Sequence, residues 1–204
     1  MQPTGTVSES PSMPLTTNLK DFGVPPLFRD ALLSDFGATL LASLGHVASA
    51  PGYYVWGDTG RGKTRLACAI LREWILAGRA VARTSGYLRP QTSALWLSVP
   101  PWLADIKRSW DDKHASEAFI VRAAKHTRAV VLDDIGAERM TDWSLGVLYE
   151  LIDHRVNYEM PTVVTSNLTI GQVSSHSPRL ASRYGGWRVI HLTGTDRRLE
   201  KESE

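Results

Sequence analysis

The chain is poor in cysteine and lacks any long apolar run. Its 204 residues include one cysteine, Cys68, which excludes an intramolecular disulfide framework. No uninterrupted apolar stretch approaches the roughly 20 residues that a membrane-spanning helix needs. The first nineteen residues contain neither a basic residue nor an apolar core, so they do not form a signal peptide. These absences predict a cytoplasmic protein with no membrane partner.

The length and composition favour one sizeable domain flanked by short tails. Residues 1–19 are rich in Pro, Ser and Thr and hold too little apolar surface to order themselves, so a disordered N-terminal tail is predicted. From residue 20 onwards, apolar residues recur at regular spacing. We therefore expect a single domain over 20–199, followed by a charged C-terminal tail over 200–204.

The net charge of +2 conceals an uneven distribution. Residues 79–128 hold nine Lys/Arg against four Asp/Glu, whereas the remainder holds 14 against 17. Such a basic block is typical of a surface that binds a polyanion, although an ordinary solvated basic face has the same count. A helix over 101–110 would direct its tryptophans to the core and Lys107 and Arg108 outwards. Together with Lys113, these are the candidate DNA-binding cations.

Short apolar runs alternate with segments of helical periodicity. The strand candidates are "GYYVWG" and residues 94–99, 128–134, 161–166 and 188–194. The helical segments follow the first strand and also cover 101–110, 115–126 and 142–158. This alternation predicts an α/β fold with a mostly parallel five-stranded sheet and helices on both faces.

A glycine-rich segment follows the first strand and precedes a helix. Gly57-Asp58-Thr59-Gly60-Arg61-Gly62-Lys63-Thr64 matches the pattern G-x-x-x-x-G-K-[ST] of a phosphate-binding loop. In this position the glycines allow backbone N–H groups to surround a phosphate, Lys63 reaches the β- and γ-phosphates, and the Thr64 hydroxyl ligates Mg²⁺. The segment predicts ATP and Mg²⁺ as cofactors.

Two further strand candidates have polar residues at their carboxyl ends. "AVVLDDIGAE" is a buried strand ending in Asp133-Asp134, where one carboxylate serves Mg²⁺ and the next orients water. "PTVVTSN" ends in Asn167, whose amide would lie near the same sheet edge. Parallel sheets bind ligands at the carboxyl ends of their strands, so these residues are expected beside the phosphate loop.

In order and spacing, these motifs resemble an AAA+ ATPase of the DnaC/IstB type, a family of helicase loaders and transposition helper ATPases. Besides the phosphate loop, the resemblance rests on "GVPPLFRDALLSDF", "WLSVPPWLADIKRSWDD", "VVLDDIGAE", "VVTSNLT" and "RLASRY". It implies an AAA+ fold in which Asp133 belongs to the Mg²⁺ shell and Asp134 orients the attacking water. It further implies that Asn167 has the sensor role. It also implies that Arg183 reaches the γ-phosphate of a neighbouring subunit.

The resemblance implies a replication protein that oligomerises with ATP on single-stranded DNA and loads or remodels a replicative helicase. A transposase helper is the nearest alternative, in which case the partner is a transposase. A P-loop small-molecule kinase and a non-hydrolysing DNA-binding adaptor are alternatives from other classes. The sequence departs from the family at residues 82–94, which look like an insertion, and no C-terminal helical lid is expected after "GTDRR".

Overall fold

The computed structural model describes residues 19–79, 94–109, 117–137 and 140–195. The five strands are β1 Gly52–Trp56, β2 Ala94–Ser98, β3 Ala129–Ile135, β4 Thr162–Ser166 and β5 Arg188–His191. The seven α-helices of this part are α1 Ala38–Leu44, α2 Lys63–Leu76, α3 Val99–Arg108, α4 Glu117–His126, α5 Asp142–Asn157, α6 Ile170–His176 and α7 Pro178–Arg183. Short 3₁₀ turns connect them.

The strands form one parallel sheet in the order β2-β3-β4-β1-β5. The crossover after β1 carries the chain past β4 and β3 to the far edge, so α2 packs across those two central strands. Strand β4 lies between β1 and β3, which brings their carboxyl ends to one edge. The predicted five-stranded α/β fold is confirmed.

Two apolar layers cover the sheet. On one face α2 and the segment before β1 pack against Tyr53 and Val55 of β1. On the other face α3, α5 and α7 pack against Tyr54 and neighbouring strand residues. Successive side chains of a strand point to opposite faces, so β1 contributes to both layers. The sheet therefore has the buried, two-sided character expected of a parallel sheet.

The segment that precedes α1 is fastened to the outer side of α2. Arg65 of α2 pairs with Asp30 at 3.1 Å and with Asp35 at 2.7 Å, and Arg72 donates to the carbonyls of Arg29 and Ala31. These bonds join residues about 30 to 43 positions apart in the sequence. They fix the helix that follows the phosphate loop from its solvent side.

Helix α3 begins two residues earlier than predicted, at Val99, because prolines 100 and 101 occupy its first turn, where their missing N–H groups cost nothing. Its apolar face is buried through Trp102, Leu103 and Ile106, as the periodicity predicts. Trp110 and the predicted insertion before β2 lie outside the described residues, apart from Ala94 at the start of that strand. Within the described ranges, no helix is both long and apolar enough to cross a membrane.

Candidate nucleotide-binding site

The loop between β1 and α2 has a backbone conformation that glycine adopts readily and that other residues adopt at a cost. Gly57, Gly60 and Gly62 have φ values of 150°, 78° and 89°, which side chains rarely allow. A Cβ at Gly57 would lie 2.4 Å from the carbonyl oxygen of Leu192. The loop thus takes the tight, side-chain-free course that lets main-chain N–H groups approach a phosphate.

Lys63 is the first residue of α2 and lies folded over this loop. Its side chain is buried, and its Nζ donates to the carbonyl oxygens of Gly57 at 2.9 Å and Asp58 at 2.8 Å. A buried cation at the positive end of a helix dipole is electrostatically unfavourable. An anion bound in the loop would relieve that cost, so the site fits a phosphate.

Arg61 ties the loop to the chain beyond β5. It donates to the carbonyl of Gly194 and pairs with Asp58 at 3.6 Å. Asp58 and Thr59 at the tip of the loop are exposed. The loop is therefore anchored at Arg61 and open to solvent at its tip.

Asp133 lies buried at the end of β3, within hydrogen-bonding reach of two hydroxyls. Thr165 of β4 donates to its Oδ1 at 2.7 Å. Burial raises the pKa of Asp133, while hydrogen bonds from Thr165 and Thr64 oppose that rise. The hydrogen bond from Thr64 joins the first turn of α2, directly after the phosphate loop, to the carboxylate on β3.

Thr64 and Asp133 together offer the oxygen ligands that Mg²⁺ prefers; this ion usually completes its octahedron with water and phosphate oxygens. Within the described ranges there is no group of three or more His, Cys, Asp or Glu that could hold a metal ion. Thr64 and Asp133 fit a small oxygen site in which phosphate and water supply the remaining ligands.

Asp134 has a left-handed backbone with φ 68°, a conformation that costs energy for a residue with a Cβ. The register between β3 and β4 shifts between Leu132 and Ile135, and the Asp134 N–H donates to Thr165 Oγ1 at 2.8 Å instead of to a strand carbonyl. The bulge turns the half-buried Asp134 away from the strand's regular alternation. Such local strain is common where a side chain has a chemical task.

Asn167 follows β4 and its side chain is exposed. The N–H of Gly57 donates to the carbonyl oxygen of the preceding residue, Ser166, at 3.3 Å. The backbone of Asn167 therefore lies beside the phosphate loop. The structure thus brings Asn167, Asp133 and the loop to one edge of the sheet.

Arg183 lies elsewhere. Helix α7 packs with α5 and α6 on the sheet face opposite α2, and the Arg183 guanidinium contacts two residues of α5. Its Nε lies 2.8 Å from Asp153 Oδ1, and its Nη2 donates to the Tyr149 hydroxyl at 3.0 Å. Within its own chain Arg183 is therefore engaged by α5, in the layer that does not contain the phosphate-loop helix.

The candidate DNA-binding cations already have protein contacts. Lys107 Nζ lies 4.7 Å from the centre of the Trp143 ring, and Arg108 pairs with Asp105 one turn earlier on α3. Both side chains are nevertheless exposed. Lys113 lies outside the described residues.

The sequence did not reveal three residues that contact the predicted site residues. Thr165 bridges Asp133 and Asp134, and Tyr149 and Asp153 hold Arg183. Thr165 could have been found once β4 was known to pair with β3, because the strand ends then face each other. Tyr149 and Asp153 carried no signal, since one turn of helix with an aromatic and an acid is common on any surface helix.

The sequence matches the family described as IstB-like ATP binding protein over residues 33–177. The chain belongs to this family. This chain is 30% identical over 137 residues to the replicative helicase loader DnaI of Bacillus subtilis (strain 168). The aligned residues make up 67% of this chain and 39% of that protein. The chain therefore spans less than half the length of this relative.

Two solved structures share the fold of the IstB-like chain. The crystal structure of DnaI aligns with 25% identity and a TM-score of 0.63, covering 85% of this chain and 94% of that one. The replication initiator DnaA bound to AMPPCP and single-stranded DNA aligns with 16% identity and a TM-score of 0.63, over 88% and 55% of the two chains. Both likenesses confirm the predicted AAA+ P-loop ATPase fold. The similarity to DnaI also confirms the resemblance to the helicase loader family.

Proposed function

We propose that this protein is a Mg²⁺-dependent AAA+ ATPase that assembles on single-stranded DNA and loads or remodels a replicative helicase. The observation that carries the proposal is the meeting of the glycine loop with Asp133, Asp134 and Asn167 at one sheet edge, in a chain of an ATP-binding family. The similarity to a replicative helicase loader supports the choice of partner.

In this proposal Lys63 and the loop N–H groups hold the β- and γ-phosphates of ATP. Thr64 and Asp133 would hold Mg²⁺, which would offset the negative charge of the phosphates. Asp134 accepts a proton from the attacking water, and Asn167 positions that water by hydrogen bonding. Arg183 of a neighbouring copy stabilises the charge that develops on the transferred phosphoryl group.

The first test separates binding from hydrolysis. Lys63→Ala should lose ATP affinity, because it removes the buried ammonium that faces the phosphates. Asp134→Asn should retain ATP affinity and lose most turnover, because only proton acceptance is removed. Nucleotide titration and steady-state kinetics on both variants measure the two effects. Unchanged turnover in Asp134→Asn would mean that the base lies elsewhere.

The second test asks whether Arg183 acts between copies. Arg183→Ala and Lys63→Ala should each be inactive, yet their mixture should regain part of the ATPase activity. In a mixed assembly some interfaces pair an intact phosphate loop with an intact arginine. An arginine supplied by a second subunit contributes roughly 10³-fold or more in other phosphoryl-transfer systems, so the recovery should be large. No recovery, with both variants still oligomeric, would refute the arrangement and favour a self-contained kinase.

The third test concerns single-stranded DNA. We expect affinity to fall with salt and to fall further in Lys107→Glu with Arg108→Glu, because cations that contact phosphates release counterions. Arg128→Glu changes an exposed residue that directly precedes β3, and it is the control for loss of positive charge elsewhere in the basic block 79–128. An affinity that ignores salt, or that falls equally in the control, would place the DNA elsewhere.

A transposase helper uses the same ATPase site, and membership of an IstB-like family keeps it as a second candidate. Capture of partners with ATP and Mg²⁺ present distinguishes the two. Recovery of a replicative helicase supports the loader, and recovery of a transposase supports the helper.

A further inference from the structure

The contacts of Arg183 are arranged unlike those of an ordinary surface ion pair. Nε and Asp153 Oδ1 are both shielded from solvent, although the Arg183 side chain as a whole is 36% exposed. The two atoms are 2.8 Å apart but are not aligned as a hydrogen bond, so they attract through charge. The shielded end of the guanidinium therefore faces α5, and its exposed part lies on the other side.

Tyr149 contacts the same guanidinium in two ways. Its hydroxyl accepts from Nη2 at 3.0 Å, and the Arg183 Cζ lies 5.5 Å from the centre of its ring. Asp153 and Tyr149 therefore hold the guanidinium at two of its three nitrogens, Nε and Nη2. Nη1 is the nitrogen that neither residue engages.

Asp153 is itself held in place. Its second oxygen, Oδ2, accepts from the Asn157 side-chain amide at 3.1 Å, one turn further along α5. The three contacts lie beside an open groove of about 380 Å³ lined by Tyr149, Pro178, Arg179, Ser182 and Arg183. The arginine thus stands at the side of a groove, with its inner edge fixed and its outer edge accessible.

We infer that Tyr149 and Asp153 are positioning residues that hold Arg183 in the orientation in which it enters the active site of a second copy of this chain. The inference rests on the proposed function of Arg183. An arginine side chain has many rotamers, and ordering it during catalysis would oppose the reaction. A guanidinium fixed beforehand on the donor subunit avoids that ordering and leaves Nη1 for the γ-phosphate of the neighbour.

The kinetic expectation is a loss of kcat with little change in the KM for ATP, because each subunit binds ATP through its own phosphate loop. Asp153→Asn should lower kcat by about 10- to 100-fold, the scale expected when a catalytic group is displaced by about 1 Å. Tyr149→Phe keeps the ring and removes one hydrogen bond, so a loss of about 2- to 10-fold is expected. Glu150→Gln is the matched control, since Glu150 lies on the same helix but pairs with Lys125.

The decisive measurement places Asp153→Asn on one side of the interface at a time. In the first mixture, Lys63→Ala with Asp153→Asn supplies the arginine and Arg183→Ala supplies the phosphate loop. In the second, Lys63→Ala supplies the arginine and Arg183→Ala with Asp153→Asn supplies the loop. We expect the recovery of activity to fall in the first mixture and to match the parent mixture in the second.

Each other outcome overturns the inference. Equal losses in both mixtures mean that Asp153 only stabilises the fold, and an increase in kcat means that Asp153 restrains the arginine. Equal and full recovery in both mixtures means that Arg183 does not need Asp153. If the parent mixture itself recovers no activity, the proposed role of Arg183 between copies fails and the positioning role fails with it.

Discussion

Arg155 and Asp133 are both buried charged residues, and they lie at opposite ends of the central strands. Arg155, on α5, reaches the amino ends of β3 and β4, where it is completely shielded from solvent. Its guanidinium donates to Thr162 Oγ1 and to the carbonyls of Ala124, Lys125, Thr127, Arg128 and Pro161. Asp133 lies at the carboxyl end of β3, between hydroxyls of Thr165 and Thr64.

The two buried charges differ in how many of their polar atoms have hydrogen-bond partners within the protein. Burial lowers the pKa of Arg155 to about 9, but every guanidinium nitrogen has an acceptor, so the cation persists at neutral pH. Burial also raises the pKa of Asp133 despite its hydroxyl partners. The amino end is complete without a ligand, whereas the carboxyl end gains from a cation such as Mg²⁺. In the proposed function, the amino end serves stability and the carboxyl end serves chemistry.

Removal of the Arg155 guanidinium should have the largest effect on stability. Arg155→Met leaves five buried or half-buried carbonyls without this donor, and we expect the free energy of unfolding to fall by roughly 3–5 kcal/mol. Chemical denaturation measures it. Arg128→Met, the same change at an exposed position nearby, should cost less than about 0.5 kcal/mol. A loss below about 1 kcal/mol in Arg155→Met would show that water replaces the guanidinium.

Two threonines of β4 allow the ends to be compared within one strand. Thr162 accepts from Arg155 and Thr165 contacts both aspartates. Each change to Val should lower the free energy of unfolding by about 1–2 kcal/mol. Only Thr165→Val should also lower kcat, by about tenfold or more, because it releases Asp133 and Asp134 from their fixed positions. Equal turnover in the two variants would contradict the division between the ends.

The smallest expected change in stability concerns backbone strain. Among the described residues, Asp134 and Glu159 are the non-glycine residues with positive φ, 68° and 50°, and they lie at opposite ends of the sheet. Substitution by Gly should raise the free energy of unfolding by about 0.5–1 kcal/mol at either position. Glu159→Gly should leave turnover unchanged, whereas Asp134→Gly should abolish most of it. A stabilised Asp134→Gly variant with full turnover would show that neither the Asp134 carboxylate nor its strained position is needed for turnover.

The sequence indicates the candidate site at the carboxyl end more directly than it indicates the structure of the amino end. Glycines and a lysine between a strand and a helix have few uses other than phosphate binding, and Asp133 ends an unmistakable apolar strand. Arg155 stands in a helix among charged and apolar residues, where an arginine is expected at the surface. Its burial depends on the carbonyls at the end of α4, and no local pattern reveals that a distant helix will end there.

The strain at Asp134 was equally invisible. Nothing in "VVLDDIG" distinguishes a regular strand end from a bulge, because the left-handed residue is an aspartate and not the glycine that follows it. The bulge arises from the register of β3 on β4 and from the Thr165 hydroxyl that replaces a strand carbonyl. Helix and strand positions were predictable from periodicity, but contacts between strand ends needed the sheet order.

The position of Arg183 on the layer opposite α2 also restricts the symmetry of any assembly that uses it. If one copy offers its α7 layer through one surface and receives its neighbour's arginine at the phosphate loop through a separate surface, the interface is heterologous. A two-fold dimer would need Arg183 and the phosphate loop in one self-complementary patch, whereas separate surfaces make the copies add head to tail. An open row has one copy whose phosphate loop lacks a neighbour's arginine, whereas a closed ring has none. Activity per copy would therefore rise with the length of the row and level off once the unpaired end becomes a small fraction of the sites.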